Sequence, residues 1–208
     1  MEKLDLKEKY KTLYAASAKK VSVVDVPALQ FASIAGEIPP HEKPGTSPQF
    51  AGDVGALYST VYTLKFMIKK RDENPIDYPV MPLEGLWSAA SGRYDPDRPD
   101  TWLYRVMIMQ PDFISAELFA EAVDRAQKKK PNSSLARVEL APFHEGPVIQ
   151  TLHLGPYATE PETIARMVAF AESEGYSQHG LHHEIYLSDP FRTAPERLKT
   201  ILRHPIGS

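Results

Sequence analysis

The chain has 208 residues, 42% of them hydrophobic and 25% charged, with a net charge of −3 and no cysteine. This is the composition of a soluble globular protein long enough to bury a core. It excludes a disulfide framework, a thiolate metal site, a cysteine nucleophile and a broad basic face for nucleic acid. The one basic cluster, Lys128, Lys129 and Lys130, falls at a predicted helix end, where cations suit the dipole. The first twenty residues lack the apolar core of a signal peptide, and no run approaches the ~20 apolar residues of a membrane span, so a cytoplasmic location is expected.

In chain order, Leu4, Leu6, Tyr10 and Leu13 predict a short amphipathic lead-in, followed by extended stretches at about 21–26 and 30–37. The Pro- and Gly-dense segment after Ile38 is a loop, and Ser47 before Pro48 is a helix start. Phe50, Val54, Leu57, Tyr58, Val61, Leu64 and Ile68 then recur at helical spacing up to Lys70, with Tyr62 on the shoulder of the stripe. Strands are expected over 78–90 and 102–110, joined by a polar connection at 91–100. On the second strand Trp102, Tyr104, Val106 and Ile108 share a face. A helix over 115–129 leads to strand signals at 135–140 and 148–154. Thr159-Glu-Pro-Glu162 predicts a capping box that opens a helix ending at Gly175, a left-handed cap. A strand over 181–187 follows, then a second predicted capping box, Thr193-Ala-Pro-Glu196, and a turn into a last strand.

Strand, long helix, strand, strand therefore occurs twice, starting near 30 and near 148. The expected fold is α+β, a tandem pseudo-twofold repeat of such units within one domain, with halves at about 20–130 and 131–208. The antiparallel sheet carries helices on one face and leaves a ligand groove between the halves.

The stretch from His179 to Pro190 places a carboxylate inside a core-like strand. Alternation sends His182, Glu184 and Tyr186 to one face and His183, Ile185 and Leu187 to the other, which reads as apolar and core-facing. Of the neighbouring imidazoles, only His182 converges with Glu184. A catalytic zinc site wants three protein ligands, so no metal is expected. Neither a serine-hydrolase elbow nor a phosphate-binding glycine loop is present.

Six strings in order carry a family resemblance: Leu57-Tyr-Ser59 with Tyr62-Thr-Leu-Lys-Phe66, Pro82-Leu-Glu-Gly-Leu-Trp87, Met107-Ile-Met-Gln-Pro-Asp-Phe113, Phe143-His-Glu-Gly146, His153-Leu-Gly-Pro-Tyr157, and His182-His-Glu-Ile-Tyr-Leu-Ser-Asp-Pro190 with Pro195-Glu-Arg-Leu-Lys-Thr-Ile-Leu-Arg203. The chain resembles GyrI-like small-molecule-binding proteins, in particular a stand-alone subfamily similar to cyclopropanoid cyclopropyl hydrolases. The resemblance implies that Glu184 floors the groove and meets cationic or polarised aromatic ligands. It also implies detoxification of spirocyclopropane DNA-alkylating natural products, whose cyclopropane is opened by water inside an aromatic cage without a cofactor. Ser88 stands where relatives often carry a second Trp after Trp87.

A spirocyclopropane conjugated to a dienone opens when its carbonyl is protonated and positive charge develops on the ring carbon. Aromatic faces stabilise such charge by ~0.5–2 kcal/mol each, and a carboxylate that orients or deprotonates water contributes about 10²–10⁴-fold. Glu184 and Tyr157 are the candidate catalytic residues. Trp87, Trp102, Tyr104, Tyr186 and Tyr62 are candidate cage or wall residues, with Glu145 and His153 as further ligand contacts. The alternatives are a non-catalytic binder that sequesters such compounds and a modulator that contacts DNA gyrase, the latter less favoured. The expected partner is a small molecule, with a homodimer left open and neither nucleic acid nor membrane engaged directly.

Overall fold

The computed structural model describes residues 2–90, 101–190 and 192–207; the connection expected at 91–100 lies outside them. In chain order its elements are β1 (Glu2–Lys3), α1 (Leu6–Lys9), α2 (Lys11–Tyr14), β2 (Ser22–Val26), β3 (Leu29–Ile38), α3 (Pro48–Lys70), β4 (Ile76–Asp77), β5 (Leu83–Ala89) and β6 (Trp102–Gln110). They continue with α4 (Ala116–Lys129), β7 (Glu139–Phe143), β8 (Gly146–Leu154), α5 (Glu160–Ser173), β9 (Ser177–Gln178), β10 (His182–Tyr186) and β11 (Lys199–Gly207). The fold is α+β with antiparallel pairing throughout apart from the short β1–β4 pair, as the sequence pattern predicts. No helix among the described residues is long and apolar enough to cross a membrane.

The chain forms two compact units. The first comprises residues 1–9, 29–81 and 88–143. In it β3 pairs antiparallel with β6 on one side and β7 on the other. Helix α3 begins where Ser47 accepts the amide of Phe50 at 3.4 Å, with Pro48 in its first turn. Its buried stripe is Asp53, Ala56, Leu57, Thr60, Val61, Leu64 and Ile68, and it packs on α4 and β3. The Tyr104 hydroxyl donates to Asp53 at 2.6 Å across a backbone bared at Gly36, where a Cβ would lie 2.4 Å from that hydroxyl.

The second unit comprises residues 10–28, 82–87 and 144–208. Its strands run in the order β2–β8–β11–β10–β5, with β9 paired to the end of β11. The expected strand-helix-strand-strand unit is present as β8, α5, β10 and β11. Ile149, Leu202 and Ile206 pack against Met167 and Ala171 of α5, which fixes that helix over one sheet face. At its C-terminus the amide of Tyr176 bonds the carbonyl of Ala171 and that of Gly175 the carbonyl of Glu172, with Gly175 at φ 75°. This is the pair of bonds a left-handed glycine cap makes.

Four local expectations are corrected. The strand expected from Tyr78 begins only at Leu83, because Pro79 and Pro82 lack the N–H groups a ladder needs. Over 133–137 the chain forms a turn rather than a strand. There Asn132 accepts the amide of Ser134 at 2.9 Å and bends the backbone before β7. Neither capping box forms. Thr159 gives its hydroxyl to the carbonyl of Pro156 instead of capping α5, and Ala194, which has no capping oxygen, precedes the turn at 195–197. Finally, the β10 face read as apolar is polar at its buried end, since His183 is 1% exposed and engaged by two carboxyl groups.

Candidate functional site

The site is built on β10 within the second unit. In register, His182 faces Trp87, Glu184 faces Gly85 and Tyr186 faces Leu83 on β5, while Glu184 faces Leu202 on β11. Residues directly opposite share a sheet face, so Trp87, Glu184 and Tyr186 emerge together. Gly85 makes this possible. A Cβ there would stand 2.6 Å from the Trp87 Nε1 and 3.0 Å from the Tyr186 hydroxyl. In the space left, the Trp87 indole N–H donates to the Tyr186 hydroxyl at 2.9 Å, and that hydroxyl donates to Glu184. Burial and the Glu184 charge push the Tyr186 hydroxyl far above its ordinary pKa, so it stays a donor. Tyr157 packs edge-on to Tyr186, with ring centroids 6.1 Å apart and an interplanar angle of 86°. It is 40% exposed and forms the outer wall.

His182 holds Glu184 from the other side, with Nε2 3.0 Å from its Oε1. Its Nδ1 lies 2.8 Å from His204 Nε2, and His204 Nδ1 lies 2.8 Å from the Gln178 amide oxygen. The partners fix the tautomers. The Gln178 oxygen only accepts, so His204 carries its proton on Nδ1. Burial and neighbouring His182 hold the pKa of His204 down at about 4, so it is neutral and accepts at Nε2. His182 must then donate from Nδ1 to His204, which leaves its Nε2 facing Glu184.

A third acid completes the cluster. Glu160, the first residue of α5, is 2% exposed, and its Oε1 has no hydrogen-bond partner among the described residues. Burial, and then the charge of Glu184, push its pKa up to about 9, so its carboxyl is neutral at pH 7. Glu160, His182 and Glu184 each bring one ligand atom within 4.8 Å of the others, close enough for a metal ion to be held there as well. The sequence pattern directs attention to Glu162 as the capping-box acid, but Glu162 is exposed. Glu160, at the first helical position that the same pattern gives it, is the one that is buried.

The opposite face of β10 carries a closed network. His183 donates from both ring nitrogens, Nε2 to Glu84 at 3.0 Å and Nδ1 to Glu145 at 2.8 Å. Burial opposes its charge, but Glu145 and Glu84 overcome that and raise its pKa to about 9. Arg203 donates to Gln150 at 2.9 Å, to Glu145 at 3.5 Å and to the Leu13 carbonyl, and Tyr14 donates to Glu84 at 2.6 Å. Burial would raise the Glu145 pKa, yet His183 and Arg203 hold it below the usual range.

Of the residues expected to form the site, the structure gathers Trp87, Glu184, Tyr186 and Tyr157 within the second unit. His153 is also there, 3% exposed and tied to the Thr163 hydroxyl at 2.9 Å and the Pro156 carbonyl at 3.2 Å, where it braces the start of α5. Glu145 belongs to the network on the other face. Trp102, Tyr104 and Tyr62 belong to the first unit. There Tyr104 is 3% exposed and bound to Asp53, while Tyr62 is exposed on α3 and stacked on Tyr58 with ring centroids 6.2 Å apart.

Residues 19–206 match the GyrI-like small molecule binding domain. The chain belongs to this family. Solved GyrI-like relatives agree. An uncharacterised conserved protein from Listeria innocua is 36% identical, with TM-score 0.88, over 98% of this chain and 100% of that one. A hydrolase from Listeria innocua is 35% identical, with TM-score 0.83, over the same shares. The C-terminal domain of EcmrR, at 10% identity and TM-score 0.54 over 91% of this chain and 98% of that one, shares the fold. No curated protein sequence matches this GyrI-like chain.

Proposed function

We propose that the protein binds a flat, apolar or cationic aromatic ligand against Trp87, Tyr186 and Tyr157 and hydrolyses an electrophilic ring in it, the ring-opening of a spirocyclopropane dienone being the reaction that fits best. The observation that carries this reading is the chain Trp87 to Tyr186 to Glu184, which fixes a carboxylate at the base of two aromatic rings with a third edge-on above them. Such rings stabilise developing positive charge by ~0.5–2 kcal/mol each. Glu184, held by the Tyr186 hydroxyl and by contact with His182, orients the attacking water and takes up its proton, an effect of about 10²–10⁴-fold. The hydrolase relative from Listeria innocua supports turnover over mere sequestration. The test is incubation of excess spirocyclopropane dienone with the protein and detection of the ring-opened, hydrated product by mass. Turnover with multiple equivalents of product supports the proposal; one equivalent of protected ligand per protein assigns a sequestering binder instead. Glu184→Gln should keep quenching of Trp87 fluorescence by the ligand and lose ~10²-fold or more in kcat.

A further inference from the structure

We propose that Glu160, His182 and Glu184 form a binding site for one divalent transition-metal ion of the zinc class. One ligand atom from each lies within 4.8 Å of the other two, and the three residues are 2%, 5% and 7% exposed. Alternation along β10 supplies two of them, and the third arrives from the first turn of α5, which sequence spacing does not connect to that strand. Two observations point to an ion rather than to a closed structural cluster. Glu160 Oε1 has no hydrogen-bond partner among the described residues, although an unpaired buried acceptor is costly and persists where a ligand completes it. His182 has its Nδ1 2.8 Å from His204 Nε2, and His204 Nδ1 is 2.8 Å from the Gln178 amide oxygen, so outer partners hold the ring with Nε2 toward the acids. A metal-ligating imidazole is oriented in this way, its second nitrogen engaged by a fixed neighbour. His183, by contrast, spends both ring nitrogens on carboxyl groups and has none to offer an ion.

The donor set selects the ion. One imidazole nitrogen and two carboxylate oxygens suit zinc, which takes three protein ligands and keeps a fourth position open, whereas calcium and magnesium prefer about six or more oxygens. His182 Nε2 and Glu184 Oε1 stand 3.0 Å apart, close to the ~3.3–3.5 Å between ligand atoms of a tetrahedral zinc ion. Glu160 has only to close in, and its Oε1 has no bond to give up. The ion displaces whatever protons these groups hold, and it replaces the mutual repulsion of two buried carboxylates with attraction to a shared cation. Its effect on the site follows from what it occupies. Resting on the hydrolytic reading above, an ion bound to Glu184 withdraws the carboxylate that takes up the proton of water, so the metal-loaded protein is the inhibited form.

The experiment titrates zinc chloride into the full chain, first stripped with a chelator, in a calorimeter at about pH 7 with no aromatic ligand present, and repeats the titration with cobalt(II) followed by visible absorption. Wild type should take up one zinc per chain with a Kd on the order of 1 µM or tighter and give the intense bands of four-coordinate cobalt. Glu160→Gln and His182→Ala, shown to be folded by thermal unfolding, should each weaken zinc binding ~100-fold or more, and His204→Ala by ~10–100-fold. Glu162→Gln, which alters the exposed acid of the same helical turn, should leave it unchanged. No saturation below about 100 µM zinc, or equal affinity in wild type, Glu160→Gln and His182→Ala, overturns the site. In the product assay one equivalent of zinc should lower turnover about tenfold or more, and a chelator should restore it. Turnover that saturating zinc leaves unchanged, or that depends on zinc, overturns the inhibition. Absence of product from the metal-free protein overturns the hydrolytic reading instead, and is distinguishable because the calorimetric titration contains no dienone.

Discussion

The two faces of β10 use the same side-chain types to opposite ends. On one face His183 sits between Glu84 and Glu145, Arg203 reaches Glu145, and Tyr14 gives its hydroxyl to Glu84, so each buried donor meets an acceptor. On the other, Tyr186 gives its proton to Glu184 and His182 contacts it, but Glu160 brings an acid with an unmatched oxygen. A buried network with matched donors and acceptors is scaffold. One with a remainder has been left for something to complete, and burial makes that remainder costly to keep. Removing a group should therefore weaken the protein on the first face and strengthen it on the second.

The largest effect is expected at His183. His183→Leu leaves two carboxyl groups facing an apolar side chain and should lower unfolding free energy by about 3–5 kcal/mol, measured by urea denaturation at pH 6. Its pH signature follows from the raised pKa. The contribution is complete below the unfolded value of ~6.5 and disappears as pH climbs through about 9, on the order of 3 kcal/mol in all. Wild type should lose this increment between pH 6.5 and 9 while the variant lacks it. A loss below 1 kcal/mol at pH 6 would show that this face is not the clamp its geometry implies.

At Glu160 the sign of the mutational effect reverses, while the pH dependence runs the same way. A carboxyl whose pKa rises from 4.5 unfolded to about 9 folded contributes fully below pH ~4.5, and that contribution is lost as pH rises to about 9. Glu160→Gln removes the titration, so its advantage over wild type should grow from pH ~4.5 upward. At pH 8 the gain should be about 1–3 kcal/mol, reduced from the full linkage value because the amide is also buried without a partner. A variant less stable than wild type at pH 8 contradicts the idea that this acid is kept against stability.

How far these faces can be read from sequence differs for a physical reason. Alternation finds Glu184 and Tyr186 together because a strand's period is fixed at two, and helical spacing finds α3 because its apolar residues recur over twenty-three positions. The same alternation misjudges His183, since Ile185 and Leu187 beside it signal a core and the partners that make an imidazole acceptable there, Glu84 and Glu145, lie 99 and 38 residues away. Glu160 is hidden by a turn. Thr159 spends its hydroxyl on Pro156, so the helix starts where the pattern puts it but without a capping box, and the buried acid is its first residue, Glu160, and not its third, Glu162. Composition does not encode such a one-turn choice, while Gly85 carries a legible signal only after its opposite number, Glu184, is known.

The smallest expected effect sharpens the comparison most, because it alters the ligand face without replacing an ionisable side chain. Gly85→Ala places a methyl 2.6 Å from Trp87 Nε1 and 3.2 Å from its Cε2, so the indole must swing away and its bond to Tyr186 breaks. Overpacking of this kind costs about 1–3 kcal/mol, and the reduced freedom of the unfolded chain returns ~0.4–1 kcal/mol. The net loss should be ~0.5–2 kcal/mol, well short of the His183 effect. Ligand affinity, read from quenching, should fall by about tenfold, the equivalent of ~1.4 kcal/mol, because the ring that shifts is the one the ligand stacks upon. If the alanine variant shows a displaced Trp87 emission band yet binds with wild-type affinity, the ligand does not lie on Trp87 and the aromatic wall must be drawn from Tyr157 and Tyr186 alone.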